Sequence, residues 1–183
     1  MKEPNHLRVL RDLIDRVSRL SAAEDWNGPL NPSQFAALAY LARANRFSRA
    51  PSHVADYLAT TRGTASQTLK ALARKDFIAE VKSETDKRSI RYDVTDTGKS
   101  LLDAPSGVTD ALESLPRKTT DAFESALKDL IREILKKRGG RTFGMCQTCR
   151  HHQQSDDDLF CSLLNVPLSA SDAVEICHEH QAA

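Results

Sequence analysis

The chain has 183 residues, of which 40% are hydrophobic and 28% charged, and its formal net charge is +1. This length allows one ordinary domain and a small appendage, but not two full hydrophobic cores. No apolar run approaches the ~18 residues that a membrane helix needs, and the first residues lack the apolar core of a signal peptide, so we expect a cytoplasmic protein with no membrane partner.

Charge and cysteine content change near residue 140. From Cys146 onward there is one basic residue, Arg150, against six acidic residues, which leaves the preceding body net basic. All four cysteines also lie in this C-terminal stretch. We therefore expect one domain over residues 1–140 and a cysteine-rich tail over residues 141–183. A basic body is compatible with a nucleic-acid partner.

The body begins with helical patterns. Apolar residues recur at helical spacing between Leu7 and Leu20, which predicts an amphipathic helix. Asn31 followed by Pro32 then predicts a capped helix that runs to about Ala44.

Two further helices follow closely. Pro51 is placed to open a short helix, and the hydroxyl of Thr60 or Thr61 can cap the next one, from Arg62 to about Lys75. Ala65, Thr68, Leu69 and Leu72 form the apolar side of that helix.

The period then changes from helix to strand. Residues 78–82 and 90–94 alternate apolar and polar side chains, and the charged stretch 83–89 joins them, which predicts a β-hairpin. A helical region follows Thr95, and after Pro116 a long apolar stripe ends at Gly139 and Gly140. The predicted fold is mostly α with a small β-hairpin wing (α+β), a winged helix-turn-helix with long terminal helices that dimerise.

In such a fold the helix beginning at Arg62 lies in the major groove, which is wide enough to admit it. Its predicted DNA-facing residues are Arg62, Thr64, Ser66, Gln67, Lys70 and Arg74. We expect the short hydroxyls and the amide to reach base edges, and the later basic residues to contact phosphates. On the wing tip we expect Lys87, Arg88 and Arg91 to approach the minor groove, with Asp86 holding the neighbouring arginine.

Three stretches resemble the MarR family of bacterial regulators, over roughly residues 5–138. They are residues 30–38 (LNPSQFAAL), residues 63–72 (GTASQTLKAL), and residues 86–89 (DKRS) leading to residues 94–98 (VTDTG). The resemblance implies a homodimer that reads a palindromic site in double-stranded DNA and a repressor controlled by a ligand or by redox state. Most members of that family end near the position of Arg138, so the four-cysteine tail departs from the family pattern.

The tail has the spacing Cys146-x2-Cys149-x11-Cys161-x15-Cys177. A Cys-x-x-Cys pair supplies two thiolates from one turn, and four clustered cysteines in a reducing compartment indicate metal ligation rather than disulfides. The pattern favours an iron–sulfur cluster of the 4Fe–4S type slightly, with Zn²⁺ as the alternative and His180 as an alternative ligand. We expect His151, His152 and His178 to be surface residues.

These features favour a regulator that senses redox state, oxygen or iron, and not an enzyme, because no nucleophile elbow, phosphate-binding loop or His-Glu-x-x-His motif is present. Two alternatives stay open. The tail could be a purely structural zinc site, or the winged helix could be a protein–protein adaptor that does not bind DNA.

Overall fold

The computed structural model describes residues 4–25, 28–82, 90–103, 106–155 and 158–182. The body is helical apart from one hairpin, as predicted. Its elements are α1 (Pro4–Asp25), α2 (Pro32–Arg43), α3 (Pro51–Tyr57), α4 (Arg62–Arg74), β1 (Ile78–Lys82), β2 (Ile90–Val94), α5 (Asp96–Leu102), α6 (Gly107–Glu113) and α7 (Arg117–Arg138). Strands β1 and β2 are antiparallel, with Ile78 opposite Val94 and Lys82 opposite Ile90.

Side-chain caps begin the helices at the predicted places. The Asn31 side chain accepts a hydrogen bond from the Gln34 amide at 2.9 Å, and the Gln34 side chain accepts one from the Asn31 amide in return. Thr61 caps α4 by accepting from the Thr64 amide at 3.1 Å. These caps fix where α2 and α4 start, and α4 carries the predicted DNA-facing residues.

The core of the body lies between α2, α3, α4 and the hairpin. Tyr40, Leu38, Leu41, Val54, Leu69 and Leu72 are fully buried there. In contrast, α1 and α7 carry long apolar side chains that one chain leaves exposed: Leu7, Leu10, Leu13, Ile14, Val17, Leu20, Phe123, Leu130, Ile131 and Ile134. Within the described ranges, no helix is long and apolar enough to cross a membrane.

The tail is built from short strands and turns. It contains β3 (Gly144–Met145), a 3₁₀ turn (Cys146–Thr148), β4 (His152–Ser155), β5 (Asp158–Cys161), β6 (Val166–Leu168), α8 (Ala170–Val174) and β7 (Ile176–Cys177). Strands β4, β5 and β6 form one antiparallel sheet, and β3 pairs with β7. An isolated parallel bridge between Ala44 and Ile176 joins the tail to the end of α2.

Candidate nucleic-acid interface and cysteine cluster

Helix α4 has one buried and one exposed side. Ala65, Leu69 and Leu72 are buried against the core. The predicted DNA-facing side chains lie on the other side, where Ser66 is half-buried and the rest are exposed: Arg62, Thr64, Gln67, Lys70 and Arg74. Thr64 is partly engaged, because its hydroxyl lies 2.9 Å from that of Thr61 in the cap. The exposed side therefore presents an amide and three cations to solvent.

A concave surface separates α4 from the hairpin. Gln67, Lys70 and Arg74 line it from the helix, and Glu80 and Tyr92 line it from the strands. The Tyr92 hydroxyl donates to the Glu80 carboxylate at 3.4 Å, which holds that acid on the hairpin side. Two cations of α4, Lys70 and Arg74, thus line the helix side of this surface.

The predicted wing arginines are only partly described. Lys87 and Arg88, with their neighbour Asp86, lie outside the described residues. Arg91 is exposed, but it lies within β2 opposite Val81 rather than at the hairpin tip. The alternation of β2 accounts for this position, because Tyr92 on the other side of the strand is buried in the core.

The four cysteines are free thiols and all are buried. Cys146, Cys161 and Cys177 pack together with Leu168 in a second small core. Cys149 follows the 3₁₀ turn, where its amide donates to the Cys146 carbonyl at 3.0 Å, and its sulfur accepts from the Gln181 amide at 3.4 Å. Residues distant in the sequence are thus brought to one place by the strands of the tail.

The thiols interact electrostatically. Burial, followed by the proximity of Cys177, Cys161 and Cys149, raises the pKa of Cys146 to about 12. A cation beside Cys146 would favour its thiolate, which is the chemistry of a thiolate metal site. Among the residues described, no group of three or more His, Cys, Asp or Glu side chains is already arranged to hold a metal ion.

Cys177 has an unusual polar neighbour in the α2–α3 loop. Burial raises the pKa of its thiol, while the nearby Glu179 backbone and the polar side chains of Asn45 and Ser48 act in the opposite direction. The Asn45 amide nitrogen is itself completely buried and has no oxygen or nitrogen acceptor in the described residues. A thiolate at Cys177 would supply the acceptor that this nitrogen needs.

The histidines differ from their expected positions. His178 is only 5% exposed, so the prediction that it lies at the surface is wrong. The reason is β7, which places the Cys177 side chain in the cysteine core and the His178 ring against α3. His180 is half-buried, its Nε2 lies 3.0 Å from the Thr148 hydroxyl, and its ring covers Gly144. This contact engages one ring nitrogen, while Nδ1 is buried and has no hydrogen-bond partner among the described residues.

The tail contacts the helix-turn-helix through His178 and through several residues that the sequence did not mark. Ser48 accepts from the His178 amide at 2.8 Å, and the His178 ring lies 3.2 Å from Asp56. Arg49 lies 3.6 Å from Glu175 of the tail and 3.0 Å from Asp93 of the hairpin. No local signal marks these residues, because each contact joins segments far apart in the chain.

The comparisons agree with the geometry of the body. Residues 29–89, about a third of the chain, match the model of the MarR family. No curated protein matches the chain.

Several solved structures have a fold similar to that of the body, and three of them illustrate the similarity. The S. aureus MepR–DNA complex is 19% identical with a TM-score of 0.56, and the alignment covers 72% of this chain and 99% of that one. A MarR transcriptional regulator from Methanosarcina mazei Go1 is 19% identical with a TM-score of 0.58, covering 70% and 98%. Streptococcus pneumoniae FabT in complex with DNA is 19% identical with a TM-score of 0.54, covering 72% and 99%. The chain therefore has the winged-helix fold of these regulators, and its residues 29–89 resemble the MarR family in sequence.

Proposed function

We propose that the protein is a homodimeric, DNA-binding transcriptional repressor that reads a palindromic site and carries a thiolate-ligated metal centre in its tail. The observation that carries the DNA-binding part is the exposed side of α4. It presents Gln67 with Lys70 and Arg74 on a helix whose opposite side is anchored in the core. MepR and FabT, which have a similar fold, have both been solved with DNA.

The two kinds of side chain on α4 have separate roles in this proposal. Gln67 can make paired hydrogen bonds to an adenine edge in the major groove, which would specify sequence. Lys70 and Arg74 lie one and two turns later and would neutralise phosphates, which adds affinity without specificity. The wing residues Lys87, Arg88 and Arg91 are proposed to bind the adjacent minor groove.

The homodimer is proposed from the apolar sides of α1 and α7. Leu13 is 53% exposed and Leu130 is 41% exposed in the single chain. Long amphipathic helices with continuous exposed apolar stripes indicate an interface, and a second copy of the chain supplies a matching pair of stripes. Two copies would present two α4 helices, as a palindromic site requires.

The metal centre is proposed from the four buried cysteines. Cys146, Cys149, Cys161 and Cys177 provide the donor set, and the buried nitrogen of Asn45 fits a thiolate at Cys177. A 4Fe–4S cluster remains the first candidate and Zn²⁺ the second. Metal binding would displace the thiol protons and link the 3₁₀ turn, β5 and β7.

One set of measurements tests both parts. Anisotropy of labelled duplex DNA should report binding that weakens linearly with the logarithm of salt concentration, whereas an adaptor would not bind. Protein purified without oxygen should be brown and absorb near ~400 nm, with iron and sulfide, if the centre is an iron–sulfur cluster. A colourless protein with bound zinc would reassign the centre as zinc, and a metal-free, fully reduced protein would overturn it.

A further inference from the structure

The segment Ile176–His178 contacts the cysteine cluster on one side and the helix-turn-helix on the other. The Ile176 carbonyl accepts from the Asn45 amide at 2.9 Å, in the loop that precedes α3. The Cys177 side chain lies in the cysteine core. The His178 amide donates to the Ser48 hydroxyl, so three successive residues join one proposed ligand to that loop.

The α2–α3 loop has a buried polar interior, and the tail supplies some of its hydrogen-bond partners. Asn45 is 0% exposed and Ser48 is 1% exposed, and the Ser48 hydroxyl donates to the Asn45 side-chain oxygen at 2.7 Å. The Tyr40 hydroxyl donates to the Ser48 carbonyl at 2.7 Å. Departure of the tail would take the Ile176 carbonyl from the Asn45 amide and the His178 amide from the Ser48 hydroxyl, and buried polar groups are costly when unpaired.

Two side-chain contacts extend the connection to the DNA-binding elements. The His178 ring lies 3.2 Å from Asp56 and stacks on His53, both on α3. Arg49 lies between Glu175 of the tail and Asp93 of β2. Helix α3 packs on α4, and β2 pairs with β1, which also packs on α4. The tail therefore contacts α3 directly and reaches β1 through β2.

We infer that metal ligation at the cysteine cluster positions α3 and the wing within the same chain, so that the metal-loaded protein is the form that binds DNA. This inference rests on the proposed function and adds its regulation. Ligation holds Cys177 in place, and Cys177 holds the Ile176 and His178 contacts with the α2–α3 loop. Loss of the metal frees Cys177, and the loop, α3 and the wing lose their support together. Asp56 and Arg49 act as positioning residues in this scheme.

The test compares loaded and stripped protein by two readouts. The first is amide hydrogen exchange of residues 51–57, which does not depend on DNA. The second is the affinity for a DNA duplex, which is first selected from a pool of random sequences with the metal-loaded, unmutated protein. Stripping the metal with a chelator should speed exchange in α3 and weaken duplex binding by roughly 5- to 150-fold. Reloading with Zn²⁺ alone, or with Fe²⁺ and sulfide without oxygen, should reverse both effects.

Asp56→Ala tests the contact between the tail and α3 without removing a proposed metal ligand or a predicted DNA-facing residue. Its side chain is 47% exposed, so the variant should fold and retain its metal, yet the loaded-to-stripped affinity ratio should fall toward one. Asp96→Ala is the matched control, because it removes an equal charge that pairs with Lys99 on α5 away from the tail, and it should keep the parent ratio.

The outcomes distinguish the inference from the proposed function. If Asp56→Ala keeps the parent ratio, or if stripping changes neither α3 exchange nor affinity, the regulation is refuted while DNA and metal binding stand. Absence of bound metal would instead refute the tail site, and absence of duplex binding in every state would refute the DNA-binding function. Either result would remove the basis of the inference as well.

Discussion

The imidazole rings of His53 and His178 stack with their centroids 3.8 Å apart. Burial, and next the neighbouring His178 ring, lower the pKa of His53 to about 4, so His53 is neutral at physiological pH. Phe143 contacts His178 edge-on at 5.3 Å, so the body and tail meet through an aromatic group. Loss of the His178 ring should therefore lower the free energy of unfolding measurably.

We expect His178→Ala to lower the free energy of unfolding by about 2–4 kcal/mol, because it leaves a cavity between His53 and Phe143. Urea denaturation of the metal-loaded protein measures this change. His151→Ala is the control, since His151 is only half-buried, and it should cost much less. Equal losses in the two variants would mean that the stack does not stabilise the fold.

Gln67→Ala and Lys70→Ala should affect DNA binding differently. Loss of the amide should change which duplexes are selected from a random pool, at a cost of about 1–3 kcal/mol at the affected base pair. Loss of the cation should weaken all duplexes evenly and reduce the salt slope by about one. Anisotropy titrations at several salt concentrations distinguish the two effects. Unchanged selection and slope in both variants would show that α4 does not contact DNA.

Leu130→Asp should separate or unfold the dimer, because it places a charge in the apolar interface proposed for α7. Ser125→Asp introduces the same charge on another side of the helix, so it should leave the dimer intact. Light scattering at micromolar concentration reports the mass of each variant. A parent protein that is already a folded monomer at that concentration would contradict the interface.

Gly98→Ala should destabilise the protein by about 1–3 kcal/mol, because a Cβ there would lie 2.3 Å from the Phe77 carbonyl oxygen. Gly63→Ala is the matched control, since the nearest atom to its Cβ is the Thr61 hydroxyl at 3.8 Å. That substitution should be neutral or stabilise α4 by about 0.5–1 kcal/mol. Urea denaturation compares them, and equal stability would contradict the close approach of α5 to the backbone of Phe77.

The body could be predicted from the sequence because its signals are local. The caps at Asn31 and Thr61 lie within three residues of the amides that they bond, and the apolar alternation of the hairpin gave β1 and β2 with their observed bounds. The tail's docking could not be predicted in this way. Ser48 and His178 are 130 residues apart, and neither lies in a periodic segment. The metal, its ligands and the boundary near residue 140 stay predictions.

The long separation between Ser48 and His178 has a consequence for synthesis of the protein. On the ribosome the N-terminal part of a chain emerges first and begins to fold before the rest is made. When the helix-turn-helix emerges, the buried hydroxyl of Ser48 still lacks the amide that will bond it. The DNA-binding part of the body therefore gains its contacts with Ile176 and His178 only after translation has passed residue 178. A chain truncated before that residue would contain α4 but would lack these contacts.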